Sequence, residues 1–400
     1  MPGYSTMNEA LIWVQTSSEA QVQIKYRKKN EPDSFMSSSP VLSIEKDGYA
    51  VKVKISGLEP SSVYEYELFL NDQKVAISHP LEFQTNSLTV TDFSVVFGSC
   101  AVFTKDESIT HIYESIASKN PDLMVWMGDN IYLDASDWDS TKNIIREYTN
   151  NRSLRQMQPL LAATHHYAIW DDHDYGPDNS DSSFYNKEIS REAFQIFWAN
   201  PSFGLDGQGI NTSFRWHDAD FFMLDDRYHR APDKEKNKAK PYLGDKQLTW
   251  LITSLKESKA RFKIIVIGNQ VINQMPFERE NYSNYKKERK SLMKQLKDNR
   301  IEGVFFVTGD RHFSEISRKR RRRAYPLYDI TVSPLTSGPI TTRLNFNTKR
   351  IRGSLIRKRN FALLEFCGTG SDRAIKISYF DTKGELLYQN LILADCLTYR

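Results

Sequence analysis

Apolar and polar positions change their period once along this chain. Up to about residue 90 they alternate: Ala20, Val22, Ile24 and Tyr26 in one run, Val51, Val53 and Ile55 in another. Alternation of period two predicts strands with one buried face. The segment VYEYELFL continues it, with Tyr64, Tyr66 and Leu68 sharing a face behind the turn Leu58-Glu59-Pro60. From about residue 91 short apolar runs alternate with helical spacing. FSVVFGSC reads as a strand, and DESITHIYESIASK carries Ile109, Ile112, Tyr113 and Ile116 on one helical face until Pro121. LMVWMGDN is the next strand. Helices are expected in EISREAFQIFWAN, DKQLTWLITSLKES and KKERKSLMKQLKDN, and strands in DFFMLDD, FKIIVIGNQ and EGVFFVTGD. AIKISYF and LLYQNLILA, joined by the turn Asp381-Thr382-Lys383-Gly384, predict a closing hairpin. Strand–helix alternation of this kind predicts an α/β fold with both sheet faces covered.

Composition narrows the class. A hydrophobic content of 40% with 26% charged residues supports a packed core in an ordinary globular chain. No apolar run approaches the roughly 18–20 residues that a membrane-spanning helix needs. The opening MPGYSTMNEALIWVQ has no basic segment leading into an apolar one, so no export signal is expected in it. Three cysteines, Cys100, Cys367 and Cys396, are too few for a disulfide framework, and only Cys367 with Cys396 is open as a pair. The net charge is +4, and the six basic residues Arg318–Arg323 account for it; without them the chain sums to −2. A general nucleic-acid-binding surface is therefore not expected. The basic run reads as a solvated loop. Starting six residues after His312, it also has the reach to overhang a site there and attract anionic substrates.

Candidate chemistry collects where strands end. VVFGSC ends in Cys100, and MVWMGDNIY brings Asp129 and Tyr132. AIWDDHD ends in Asp171, Asp172, His173 and Asp174, and FFMLDDR in Asp225, Asp226 and Arg227. IIVIGNQ ends in Asn269, and FFVTGDRH in Asp310 and His312. Binding sites of open α/β sheets form at the carboxyl edge of the strands. Asp129, Asp172, Asn269 and Asp310 offer hard oxygens suited to Ca²⁺, Mg²⁺ or Mn²⁺. Cys100, Tyr132 and His312 offer a set suited to a transition metal, with the phenolate favouring Fe³⁺. A carboxylate shared by the two sets, such as Asp129, would bridge two ions. Like charges packed as in WDDHD repel, and bound cations would relieve them.

These motifs, in order, resemble a known family. G-D-x-x-Y (Gly128, Asp129, Tyr132), D-D-H-D (171–174), G-N-Q (268–270) and G-D-x-H (Gly309, Asp310, His312) are similar to those of calcineurin-like metallophosphoesterases, and the first to the purple acid phosphatases. The cysteine of GSC, with WDDHD and TGDRH, resembles the PhoD-like alkaline phosphatases more closely. The resemblance implies a four-layer α/β/β/α sandwich over residues 91–400. Residues 1–90 would form a small all-β sandwich ahead of it. Tyr64 behind its turn resembles the tyrosine corner of fibronectin III and immunoglobulin-like sandwiches.

The resemblance also implies roles. Cys100, Asp129, Tyr132 and His312 would hold Fe³⁺. Asp129, Asp172, Asn269 and Asp310 would hold Ca²⁺, with a second Ca²⁺ drawing on Asp171, Asp174 or Asn179. A dinuclear Mn, Mg or Zn centre is the alternative. His173 would stand by the leaving group, and Arg152 or Arg155 would bind phosphate, with Arg227 and Arg311 as alternatives. The expected activity is metal-dependent hydrolysis of phosphomonoesters. A phospholipase D-like phosphodiesterase on the same metal core, or a non-catalytic Ca²⁺-binding surface-recognition protein, are the other readings. The expected partner is a small phosphate ester, with no specific nucleic acid. The protein would be a monomer, secreted or periplasmic. Plainer roles stand beside these. Cys100 would be a small buried hydrophobe, His165 and His166 structural, and Asp225 and Asp226 supports for Arg227 or neighbouring ligands.

Overall fold

The computed structural model describes residues 1–399 except 32–33, 88, 275–279 and 342–345. The chain opens with β1 (Pro2–Ser5), β2 (Glu9–Gln15), β3 (Ala20–Lys28), β4 (Met36–Ser37), β5 (Val41–Ser43), β6 (Ala50–Ser56), β7 (Val63–Leu70), β8 (Gln73–Lys74) and β9 (Glu82–Gln84). They form a three-stranded sheet, β1-β2-β6, and a second sheet, β4-β3-β7-β8, with β5 on β3 and β9 on β7. The alternating positions point inward: Ile12, Val22, Ile24, Val53 and Ile55 share one core with Tyr64, Tyr66 and Phe83. Tyr64 stacks on Phe83 with centroids 5.1 Å apart, and its hydroxyl accepts the Glu59 N–H at 2.8 Å. That bond ties the turn to the core, as the tyrosine corner requires.

The chain continues through β10 (Phe93–Gly98), α1 (Glu107–Ala117), β11 (Leu123–Met127), α2 (Thr141–Arg152), α3 (Gln158–Ala163) and β12 (His165–Ile169). Next come α4 (Asp172–Tyr175), α5 (Lys187–Phe197), β13 (Thr212–Trp216), β14 (Ala219–Met223), α6 (Asp245–Glu257), β15 (Phe262–Ile267), α7 (Lys286–Asp298) and β16 (Val304–Thr308). The remainder is mostly strand: β17 (Glu315–Arg321), β18 (Ala324–Thr331), β19 (Asn360–Cys367), β20 (Ala374–Asp381) and β21 (Leu386–Leu393). Two six-stranded sheets result, β12-β11-β10-β19-β20-β21 and β13-β14-β15-β16-β18-β17. Their inner faces meet, with Tyr167 of β12 stacked on Phe214 of β13 and Tyr379 of β20 donating to the Thr331 carbonyl of β18 at 3.1 Å. The outer faces carry helices: Tyr113 of α1 lies against Trp126 of β11, and Trp250 of α6 against Phe222 of β14. This is the expected α/β/β/α sandwich behind an all-β segment.

Direction places the site. β10, β11 and β12 are parallel, as are β14, β15 and β16. All six carboxyl ends reach one edge, where Cys100 N donates to Gly128 O, Gly309 N to Gly268 O and Leu335 N to Ser99 O. The opposite edge is pinned by Arg373, fully buried, which bonds Asp218, Asp92 and the Thr91, Phe366 and Gly368 carbonyls.

One expectation is corrected, and the open cysteine pairing is answered. The basic run is a strand and turn: β17 pairs antiparallel with β18, and β18 runs parallel to β16, Thr308 opposite Thr331. β17 therefore leaves the site edge at Glu315 and carries its arginines away from it. The turn Arg322–Arg323 lies at the amino-terminal edge and does not overhang the ligand candidates. Pairing with the apolar β18 satisfies the backbone of a segment too polar to read as a strand. Cys367 and Cys396 are free thiols, as is Cys100.

His165 and His166 are structural. His165 Nδ1 donates to Gly3 O at 2.7 Å and Nε2 accepts the Gln84 N–H at 3.0 Å, tying the first two sheets to β12. Trp126 Nε1 donates to His166 Nδ1 at 3.0 Å. Burial lowers the pKa of His165 to about 4 from its ordinary 6.5. A lowered histidine adds stability that is complete above pH 6.5 and is lost as the pH falls towards 4. At pH 5 the loss from His165 is on the order of 2 kcal/mol. Unfolding titrations of His165→Gln should therefore show a shallower fall in stability between pH 6.5 and 5 than the parent protein. An identical slope would show that His165 is not buried neutral.

Candidate metal centre

The ligand candidates sit just beyond strand ends, where the backbone leaves the β region. Cys100, Asp129, Asp310 and His312 have φ of 60°, 52°, 63° and 52°. Left-handed backbone costs a non-glycine residue roughly 1–2 kcal/mol. Four such residues at one edge mark it as the functional one. Glycine before Asp129 has a steric reason: Gly128 has φ +91°, and a Cβ there would lie 2.4 Å from Asp171 Cβ.

Two groups of side chains converge. In the first, Cys100, Asp129 and His312 bring ligand atoms within 4.8 Å of one another. Cys100 Sγ is 3.5 Å from Asp129 Oδ2, and Tyr132 Oη is 3.4 Å from both Asp129 Oδ2 and His312 Nε2. His312 Nδ1 faces the Gly338 carbonyl at 2.7 Å, which places its proton there and turns the Nε2 lone pair inward. Ser333 Oγ lies 3.2 Å from Cys100 Sγ, and Ser337 Oγ donates to Tyr132 Oη at 2.8 Å. In the second, Asp129, Asp172 and His173 meet the same criterion, as do Asp171, Asp172 and Asp310. One end of the Asn269 amide lies 2.8 Å from Asp310 Oδ2. Asp129 thus belongs both to the group of Cys100 and to that of Asp172 and His173, though not to that of Asp171, Asp172 and Asp310.

The donors fit cations. Asp172 Oδ1 is buried without a hydrogen-bond partner, while its Oδ2 accepts the Asn179 N–H at 2.6 Å. Burial, then the charges of Cys100, Asp172, Asp174 and Asp310, pushes the Asp129 carboxyl well above its ordinary pKa. Burial, then Asp310, pushes the Cys100 thiol up to about 12. Positive charge is what this cluster lacks.

One buried protein cation within it is Arg227. Its guanidinium is fully buried, pairs with Asp171 and Glu280, lies 3.6 Å from Asp172 and donates to Ser180 O at 3.2 Å. It also stands 3.1 Å from the other end of the Asn269 amide. Asp225 and Asp226 act as supports. Asp225 Oδ1 accepts the N–H groups of Arg227 and Tyr228, each at 2.9 Å, and Asp226 Oδ2 accepts the Asn269 N–H at 3.1 Å.

The structure does not bring every expected residue here. Arg152 is buried in a different place, its guanidinium 4.1 Å from the Trp198 ring and 5.4 Å from that of Trp126. Arg155 is exposed, 3.9 Å from Glu107. Arg152 leaves the phosphate role assigned to it because the two indoles enclose it; Asn151 beside it donates to the Ala101 and Asn130 carbonyls, so α2 ends at the site edge and Arg155 follows it in an exposed turn. Arg311 is present, 3.3 Å from Asp310 Oδ2. Asp174 is fully engaged, accepting from Asn130, Tyr148 and the Asp171 N–H. Asp171 pairs with Arg227 through Oδ1, while its Oδ2 is buried without a hydrogen-bond partner and stands in the group with Asp172 and Asp310; Asn179 reaches Asp172 through its backbone. His173, half-buried, stacks on Tyr132 at 4.3 Å. Glu280, Ser333, Ser337 and Gly338 were not singled out from the sequence. Ser333 follows the apolar β18 as the others follow their strands, but a serine there carries no ligand signal; Glu280, Ser337 and Gly338 follow no apolar strand.

Comparisons with known proteins agree with this fold. Residues 95–371 match the PhoD-like phosphatase family, and residues 1–88 match a domain of unknown function. No curated protein matches. Among solved structures, "Structure of PhoD" aligns with a TM-score of 0.80 at 17% identity, covering 100% of this chain and 90% of that one. A purple acid phosphatase from yellow lupin (Lupinus luteus) seeds aligns at 0.73 with 13% identity, covering 98% and 74%. GAP50, the anchor in the inner membrane complex of Plasmodium, aligns at 0.51 with 15% identity, covering 77% and 89%. At these identities the likeness is one of fold.

Removing Arg227 should leave Asp171 and Glu280 buried and unpaired. Arg227→Met is expected to cost about 3–5 kcal/mol in urea unfolding with chelator present. Arg227→Lys, which keeps the charge without the fork, should cost less. A loss below about 1 kcal/mol in the methionine variant would contradict the pairing, since breaking such a pair costs more.

Proposed function

Because the chain belongs to the PhoD-like phosphatase family, and is thereby a phosphoric ester hydrolase, we propose that it cleaves phosphomonoesters with two cations at the edge where its sheets meet. Asp129 carries this reading, since it stands both with Cys100 and His312 and with Asp172, where a bridging carboxylate would stand. We assign Fe³⁺ to Cys100, Asp129, Tyr132 and His312, whose thiol, phenol and imidazole suit it. We assign Ca²⁺ to Asp129, Asp172, Asn269 and Asp310, an all-oxygen set. Bound there, the cations supply charge neutralisation for the phosphate and a more acidic water.

The chain's own groups do the rest. Gly338 fixes the proton on His312 Nδ1. Ser333 and Ser337, donating to Cys100 Sγ and Tyr132 Oη, favour thiolate and phenolate. His173 is held by stacking on Tyr132, with Nε2 3.9 Å from Asp178 Oδ1. From there it would hold a proton at Nε2 and pass it to the departing alkoxide. Export, to the periplasm or beyond the cell, is the location the family supports. No helix among the described residues is long and apolar enough to cross a membrane.

The test compares p-nitrophenyl phosphate with bis-p-nitrophenyl phosphate, with chelator and with added Ca²⁺. Chelator-sensitive turnover favouring the monoester is expected; a preference for the diester would make the protein a phosphodiesterase on the same core. Asp129→Ala should lose both metal retention, by elemental analysis, and turnover. Near-normal activity would exclude the bridging role. Cys100→Ala should lose the transition metal and keep the fold, and stoichiometric iron in that variant would refute the ligand assignment.

A further inference from the structure

The basic hairpin lies on the edge opposite the metal-ligand candidates, and its sequence works against its own stability. Among the described residues none of Arg318–Arg323 pairs with a carboxylate; the nearby Glu315 is taken by Arg350. Lys319, half-buried, has its pKa lowered by burial and then by the charges of Arg289, Lys349 and Arg321. Arg321 Nη1 and Nη2 are buried without hydrogen-bond partners. Arg321 pairs with Ala324, so Arg322–Arg323 forms a two-residue turn, and Arg323 has φ +55°. Turns of this kind favour glycine, asparagine or aspartate at such a position. A few charges suffice to protect an edge strand from pairing with another chain. Six in succession, running through the turn, exceed that need.

Apolar surface accompanies the charge. β21 ends at the same edge: Leu393 pairs with Ala374, which pairs with Cys367 in the strand next to β10, near Phe93. Leu391 and Leu393 are 59% and 41% exposed. The chain then leads to Tyr399, which packs on Tyr325 of β18 at 5.4 Å and under Arg300 at 4.7 Å. Exposed leucines ending at the same edge as arginines that no carboxylate neutralises fit phosphate headgroups over an acyl boundary better than they fit a nucleic acid. Of the tyrosines here, Tyr325 is buried and Tyr399 is covered by Arg300, so neither offers a face for bases to stack on.

We propose that the β17–β18 hairpin, with the end of β21, is a docking surface for an anionic lipid bilayer, holding the opposite, metal-ligand edge away from it. The test is co-sedimentation of the full chain with vesicles of phosphatidylcholine, alone or mixed with phosphatidylglycerol. Binding is expected only to the mixed vesicles, weakening as salt rises. Arg320→Ser, Arg322→Ser and Arg323→Ser together should lower partitioning on the order of 100-fold. The corresponding lysine triple variant should bind like the parent, since a bilayer reads charge. Hydrolysis of p-nitrophenyl phosphate by both variants should match the parent, which also establishes their folding. Equal partitioning of the serine variant, or no binding by the parent, would overturn the proposal. So would displacement from vesicles by an oligonucleotide at near-physiological salt, which would point to a polymeric polyanion instead.

Discussion

The ion pair between Arg227 and Asp171 is the contact on which the site edge depends. Asp171 ends β12 and caps α4, the short helix that carries Asp172 and His173. It also lies so close to Gly128 and Gly268 that a Cβ at either would come within 3 Å of it. The ends of β11, β12 and β15 therefore converge on one carboxylate, and Arg227, from the end of β14, neutralises it. The same guanidinium reaches Glu280, Asp172 and Asn269. One buried cation thus fixes the relative position of ligands drawn from both sheets. An arginine suits this place because its planar fork addresses several oxygens at once.

Much of the site was legible because its signal is local. An apolar run followed by Cys100, Asp129, Asp172, Asn269 or Asp310 announces both a buried strand and what stands at its end, and parallel packing then brings the ends together. Arg152 shows where this reasoning stops. It lies in a polar segment with nothing local to mark its surroundings, and the indoles of Trp126 and Trp198 that cover it come from elsewhere in the chain. β17 was hidden for another reason. Its backbone pairs with β18, while its side chains, apart from Ile316, give no apolar alternation. Glu280 carries no motif, and its importance follows only from Arg227. What the sequence could not show was, in each case, a contact made across the fold.

The two edges of the sandwich answer the problem of concentrated charge differently. At the carboxyl edge several carboxylates are buried, and with few cations near them among the described residues the Asp129 carboxyl and Cys100 thiol are pushed towards their protonated forms. Ligands held in that state give up protons when a cation binds, so cation affinity there rises with pH. At the amino edge the excess is positive and largely exposed, so solvent and salt can moderate it, though Lys319 is still strained by its neighbours. Arg373 stands between the two cases. Buried like Arg227, it is satisfied by Asp218, Asp92 and three carbonyls, and leaves no demand for a ligand. Burial of charge alone therefore does not mark a functional edge in this protein. The mark is buried carboxylate oxygen left without a partner, at Asp171 Oδ2 and Asp172 Oδ1, beside the left-handed backbone of Cys100, Asp129, Asp310 and His312.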